Sequence, residues 1–148
     1  MARRRRPVEL LEYSDDLHLE DVTPLAAFLA ARLRELAEAQ PEGTGARFAA
    51  ERLAAVTARD CIFLSDILGA WEDAILEGRA DEPGWTQRSR QDCVLWWERL
   101  CRTAEEFGDH PDHRSRWRPL RFRNLAHAEF MEGLTDRAGG VYRGGAHP

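Results

Sequence analysis

Apolar residues recur at spacings of three and four along most of the chain, and that period predicts helices rather than strands. Leu25, Phe28, Leu29, Leu33 and Leu36 make one such stripe. Its helix is predicted to begin at a polar cap, Asp21 or Thr23, with Pro24 at the first helical position, where a missing N–H costs nothing. The helix runs to about Gln40, and Pro41 to Gly45, reading PEGTG, ends it and turns the chain. A shorter helix is predicted over Val8 to Tyr13, ending near Ser14, Asp15 and Asp16.

The longest helix is predicted from about Ala46 to Glu77, closed by Gly78 where a left-handed residue is wanted. Leu53, Val56, Phe63, Ile67 and Ala70 trace its three-four repeat, while Leu64, Leu68, Trp71 and Ile75 widen the stripe downstream, so that half is expected to be buried on more than one side. Asp60 falls in register with the stripe. A buried carboxylate needs a partner or must become neutral, so Asp60 is expected at the rim or paired with an arginine from another helix. Gly69 inside this helix costs about 1 kcal/mol relative to Ala, which predicts close helix contact or a bend there.

A turn over Ala80 to Trp85 leads to a third helix, capped by Thr86 and running to Phe107. Val94, Trp97, Leu100, Cys101, Ala104 and Phe107 make its apolar face, and Gly108 ends it. A fourth, weaker helix over Phe122 to Gly133 is expected to pack through Leu125, Ala126, Phe130 and Leu134. The predicted fold is all-α, a small bundle of about four helices with the middle pair antiparallel. One domain covers residues 21–135, between a flexible or partly helical, Arg-rich arm at 1–20 and a flexible, Gly-rich tail at 136–148.

Composition agrees with one globular unit: 148 residues, 43% hydrophobic and 32% charged. All 21 basic residues are Arg, which points first to coding bias and only then to a functional choice. Residues 1–6 carry four of them, residues 7–82 carry 17 acids against six, and residues 83–148 carry nine acids against 11. That acidic middle would repel a nucleic-acid backbone, so any such contact is expected only at the two ends. Cys61, Cys93 and Cys101 lie in apolar helical stretches and are odd in number, which predicts a reduced, cytoplasmic protein. No apolar run approaches 18 residues, and the starting arginines precede Pro7 and Glu9; neither a membrane helix nor a signal peptide is expected.

Chemistry concentrates in Phe107 to Arg123, FGDHPDHRSRWRPLRFR. Its core, Asp109 to Pro119, resembles the D-H-P-D-[YH]-x-x-x-W-x-P ending of a family of short actinobacterial and phage-borne proteins of unknown function. Members of that family often begin with a helix similar to AFLAARLREL, Ala27 to Leu36 here. Many of them carry a Cys-x-x-Cys pair ahead of the segment, where this chain has Trp96 and Trp97. The resemblance implies a bacterial cytoplasmic protein of mobile-element origin and supplies no activity.

Read from its residues, the segment serves one of several ends. As a helix-turn-cap device, Asp109 caps the turn after the third helix, Pro111 fixes the backbone, Asp112 caps a turn carrying Arg114 to Trp117, and Trp117 folds onto the core. As a metal site, His110 and His113 form a pair that Cys101, Asp109 or Asp112 would complete. As a nucleic-acid surface, Arg114, Arg116, Arg118, Arg121 and Arg123 bind phosphates around stacking Trp117 and Phe122. As an active site, Asp60 or His110 is the general base, oriented by Asp66, Asp109 or Asp112, though no nucleophile, oxyanion site or cofactor motif accompanies them. The expected function is a cytoplasmic protein-interaction or regulatory module without catalytic activity or cofactor. Its partner is another protein or a second copy of itself, held through a helix face and through Trp85, Asp109, His110, Asp112, Arg114, Arg116, Trp117 and Arg118, since Trp and Arg dominate interface hot spots. Trp85, in a turn after Pro83 and Gly84, is the candidate exposed anchor.

Overall fold

A computed structural model describes residues 11–79 and 87–121. Within them the chain forms three α-helices, α1 (Leu19–Glu38), α2 (Gly45–Leu76) and α3 (Gln87–Glu105), after a single 3-10 turn at Ser14–Asp16. Helical content is as the apolar period predicts. The fourth helix, Trp85 and both termini lie outside the described residues.

α1 begins earlier than its sequence suggests. His18 is the N-cap and Asp21, read as a cap itself, is the third helical residue, its Oδ2 accepting the His18 N–H at 2.8 Å. A second carboxylate comes from across the bundle: Glu72 Oε1 accepts the Leu19 N–H at 3.1 Å. Two of the N–H groups at this helix end are thereby satisfied by anions, which the positive end of the helix dipole also favours. Pro24 sits inside the helix rather than at its first position. The cost of its missing N–H falls on the carbonyl of Glu20, a residue on the exposed face.

α2 follows the reading closely. Thr44 Oγ1 accepts the Arg47 N–H at 3.2 Å as an N-cap, and Gly78 closes the far end at φ +72°. Its buried strip, however, is rotated from the one first traced: Thr57, Cys61, Leu64 and Leu68 are inside, while Leu53 and Phe63 are largely exposed. α1 and α3 pack on neighbouring sides of α2, so the residues between those sides are covered and the flanks are not. Phe63 meets Trp96 in a T-shaped contact with ring centroids 5.0 Å apart, and Arg59 lies 6.0 Å over its ring.

Asp60 meets an arginine from another helix, as a carboxylate in the stripe should. Arg99 of α3 lies 3.5 Å away and Arg59 3.7 Å, and this pair with the Phe63–Trp96 contact sets α3 antiparallel to α2. Gly69 does not mark a tight crossing: a Cβ there would meet only Leu19 Cδ2, at 4.0 Å.

The core joins Val22, Leu25, Phe28 and Leu29 of α1 to Cys61, Leu64 and Leu68 of α2 and to Trp97, Leu100 and Cys101 of α3. It is sealed by Leu11, Leu17, Trp117 and Leu120 from outside the helices. The described end of the predicted Val8–Tyr13 helix, residues 11–13, is not helical. Tyr13 pairs in parallel with Arg121: the Arg121 N–H donates to Glu12 O at 2.8 Å and the Ser14 N–H donates to Arg121 O at 2.9 Å. Backbone hydrogen bonding to a distant segment replaces helix here, because Leu11 and Leu17 must both enter the core. No helix among the described residues is long and apolar enough to cross a membrane.

Candidate functional site

After α3 the chain turns back across α1 in a series of tight turns. Gly108 N–H donates to Glu105 O, His110 N–H to Phe107 O, His113 N–H to His110 O and Trp117 N–H to Arg114 O, all at 2.9–3.1 Å. Gly108 is not left-handed, as a helix-ending glycine would be; a Cβ there would stand 3.0 Å from the Glu105 carbonyl oxygen, so close backbone approach is what requires it.

Phe28 of α1 is the hub. Around its ring stand Phe107, His110 and His113, edge-on at centroid distances of 6.4, 5.7 and 5.9 Å, and Trp117 tilted at 4.9 Å. Arg32, one turn further along α1, lies 5.5 Å over the same ring. Its Nη1 contacts the His110 imidazole and lies 3.9 Å from Asp112 Oδ2, while Nη2 donates to Glu35 at 2.8 Å. Sequence reasoning missed Arg32. The available signal was a charged residue four positions after a stripe phenylalanine, where the two side chains share a helix face.

Each candidate residue has a definite place. Asp109 is exposed in the turn, and among the described residues neither it nor Asp112 accepts a backbone N–H; His110 Nδ1 does so instead, from Asp112 at 3.0 Å. The capping role read for the aspartates therefore belongs to the histidine, whose ring is held by Phe28 and Arg32. Trp117 is 4% exposed and packs in the core, as the cap reading expected, and so it is covered against base stacking. Burial lifts the Asp21 carboxyl above the usual aspartate range, against the opposing pull of the His18 N–H and of the buried Arg116. Arg114 is exposed 5.8 Å from the Trp117 ring centroid; the Arg118 side chain is also exposed, but its carbonyl accepts the Trp97 indole N–H at 3.0 Å.

The His110 and His113 rings both stand edge-on to Phe28. Cys101 is buried in the core and burial raises its thiol well above the ordinary range, which opposes the thiolate a metal needs. No group of three or more His, Cys, Asp or Glu among the described residues is arranged to hold a metal ion. Asp60, read as a general base, is buried against Arg99, and Asp66, read as an orienting carboxylate, is exposed.

The DHPDH segment thus makes turn and core contacts, and an open apolar surface lies elsewhere. A groove of about 590 Å³ runs between α1 and α2, with buried Leu29, Leu33, Thr57 and Cys61 at its base and small side chains such as Ala26, Ala30, Ala54 and Ala58 along its sides. Arg34 and Glu38 of α1 and Arg47 and Glu51 of α2 stand at its polar end. Ile62, 59% exposed, forms part of its wall, and Phe48, 70% exposed, projects from the same α2 flank. The individual alanines carried no period that the stripes of leucine and phenylalanine did not already explain. No protein family, curated protein or solved structure matches this chain.

Proposed function

We propose that this chain is a small helical protein-interaction or regulatory module that works without catalysis. The observation carrying the reading is the groove between α1 and α2: an apolar floor, a charged margin, and two large hydrophobic side chains left in water on the same flank. Large contiguous exposed apolar surface on a soluble domain marks an interaction site more often than a scattered residue does. We place the partner surface on this helix face; of the Arg/Trp segment, Trp117 and Arg116 are buried and Arg114 and Arg118 are exposed. Three buried free thiols suit a reducing compartment, so we place the protein in the cytoplasm.

Ile62→Glu tests the reading, since it puts a charge on the groove wall at an exposed position. Wild-type chain isolated from its host at moderate salt is expected to retain a protein in fixed stoichiometry, and the variant to lose it while keeping its helical content. Retention of the same proteins by Ile62→Glu, or retention of nucleic acid alone, would refute it.

A further inference from the structure

Resting on the reading of this α2 flank as an interaction surface, we infer that a second copy of this chain lies antiparallel along the outer face of α2, about a twofold axis through Ile62.

Away from its buried strip, α2 carries a stripe arranged symmetrically about Ile62. The three most exposed large hydrophobic side chains among the described residues all lie on it: Leu76 at 85%, Phe48 at 70% and Ile62 at 59%. Phe48 and Leu76 each stand 14 positions from Ile62, and the small residues Ala55 and Gly69 each stand seven. The charges on the stripe change sign at the same point. Exposed Arg52 and Arg59 precede Ile62 by 10 and three positions, and exposed Asp66 and Asp73 follow it by four and 11. Steps of three and four keep all these residues on one helix face. A half turn about Ile62 therefore sets Phe48 against Leu76 of the copy and Ala55 against its Gly69. It also brings Arg52 within one position of the copy's Asp73 and Arg59 within one position of its Asp66. Each of these pairs occurs twice, and Ile62 meets its own copy on the axis.

The order of the charges is what selects a second copy as the occupant. A partner of one dominant sign would meet repulsion over half of the stripe, whereas an antiparallel copy meets opposite charge along all of it. Within the chain this order has little to offer. Asp73 stands in the last turn of α2, where the helix dipole disfavours an anion. The side chains of Arg52, Asp66 and Asp73 make no hydrogen bond or ion pair among the described residues, while Arg59 lies 3.7 Å from Asp60. Ala55 and Gly69 leave room on both sides of the axis for the two helices to pack at the roughly 8–10 Å usual for helix pairs. A stripe stepping by three and four drifts by about 20° per heptad, so the two copies wrap with a left-handed twist that keeps both ends in contact.

The size of the stripe sets the strength. Phe48 to Leu76 spans roughly 42 Å at ~1.5 Å per residue, and a helix is roughly 10 Å wide. Each copy thus offers roughly 400 Å², about half the ~800 Å² per partner of a standard interface. A weak dimer follows, half-assembled at roughly tens of micromolar.

Sedimentation velocity of the full-length chain from about 1 to 200 μM tests it. The mass is expected to rise from 16.9 kDa toward twice that value across the range. Arg52→Asp alone and Asp73→Arg alone each set like charges together at both ends of the contact and are expected to weaken association at least about tenfold. Both positions are exposed, so both variants are expected to keep the wild-type circular dichroism spectrum. Mixed in equal amounts, they meet opposite charges at both ends and are expected to associate as the wild type does. A single-copy mass throughout the range overturns the inference. So does dimerisation that neither substitution weakens, or a mixture that stays dissociated. A chain that stays single yet loses a host protein on Ile62→Glu overturns the second copy alone and leaves the flank an interaction surface, so the two readings fall separately.

Discussion

Trp97 and Trp117 are buried indoles in one core cluster, but their N–H groups differ. Trp97 Nε1 donates to the Arg118 carbonyl at 3.0 Å, whereas Trp117 Nε1 is buried with no hydrogen-bond partner among the described residues. Replacing each by Phe separates the two cases. In Trp97→Phe the carbonyl of Arg118 loses its donor, which costs ~1–3 kcal/mol. The lost ring volume, roughly 40 Å³ at ~24 cal/mol per Å³, adds about 1 kcal/mol. The expected loss is therefore about 2–4 kcal/mol. In Trp117→Phe the same volume is lost, but the group removed is an unsatisfied buried donor, and the relief of its desolvation offsets the cavity. The net is expected within about 1 kcal/mol of zero. At about 4 °C per kcal/mol for a domain of this size, Trp97→Phe should melt about 8–16 °C below wild type and Trp117→Phe within about 4 °C of it. Far-UV circular dichroism follows both melts without depending on the altered fluorophore. Equal losses in the two variants would refute the reasoning, because volume alone would then account for both.

Gly69→Ala should stabilise the protein by about 0.5–1 kcal/mol, since a Cβ there finds only an ordinary contact with Leu19 and the helix interior gains propensity; urea titration with a lowered midpoint would contradict this. Burial pushes the Cys61 thiol up to about 11, with the neighbouring Asp60 charge adding to it, so the folded state holds that proton more tightly than the unfolded chain does. Its contribution to stability is complete below the ordinary thiol range and is lost as pH climbs through about 9 toward about 11. Urea midpoints measured across that interval should fall in the wild type and fall less steeply in Cys61→Ala, and parallel slopes would show that other groups carry the effect.

Much of the scaffold was readable because it rests on local rules. The period of Leu25, Phe28, Leu29 and Leu33, the turn at PEGTG and the left-handed Gly78 each depend on residues within a few positions of one another. Features set by packing were not readable that way. Which side of α2 is buried depends on the angle between α1 and α3, so the apolar period alone predicts Leu53 and Phe63 inside although both stand at a flank. The start of α1 depends on Glu72, 53 residues away from Leu19.

The DHPDH segment shows the same division. That Trp117 returns to the core follows from its size and the turn residues before it. That His110 rather than an aspartate accepts the turn N–H follows from Phe28 and Arg32, which hold the imidazole from another helix. The α1–α2 groove was unreadable for a different reason. It is made by small side chains on two helices, and alanine fits a helix whether it is covered or not.

The bridge between Tyr13 and Arg121 has a topological consequence. Where the described fold is entered and where it is left are neighbours, joined by two backbone hydrogen bonds across 108 positions of sequence. A unit with a shared doorway of this kind can be spliced into a surface loop of a host protein without prying its helices apart, and the same adjacency makes it a candidate for circular permutation.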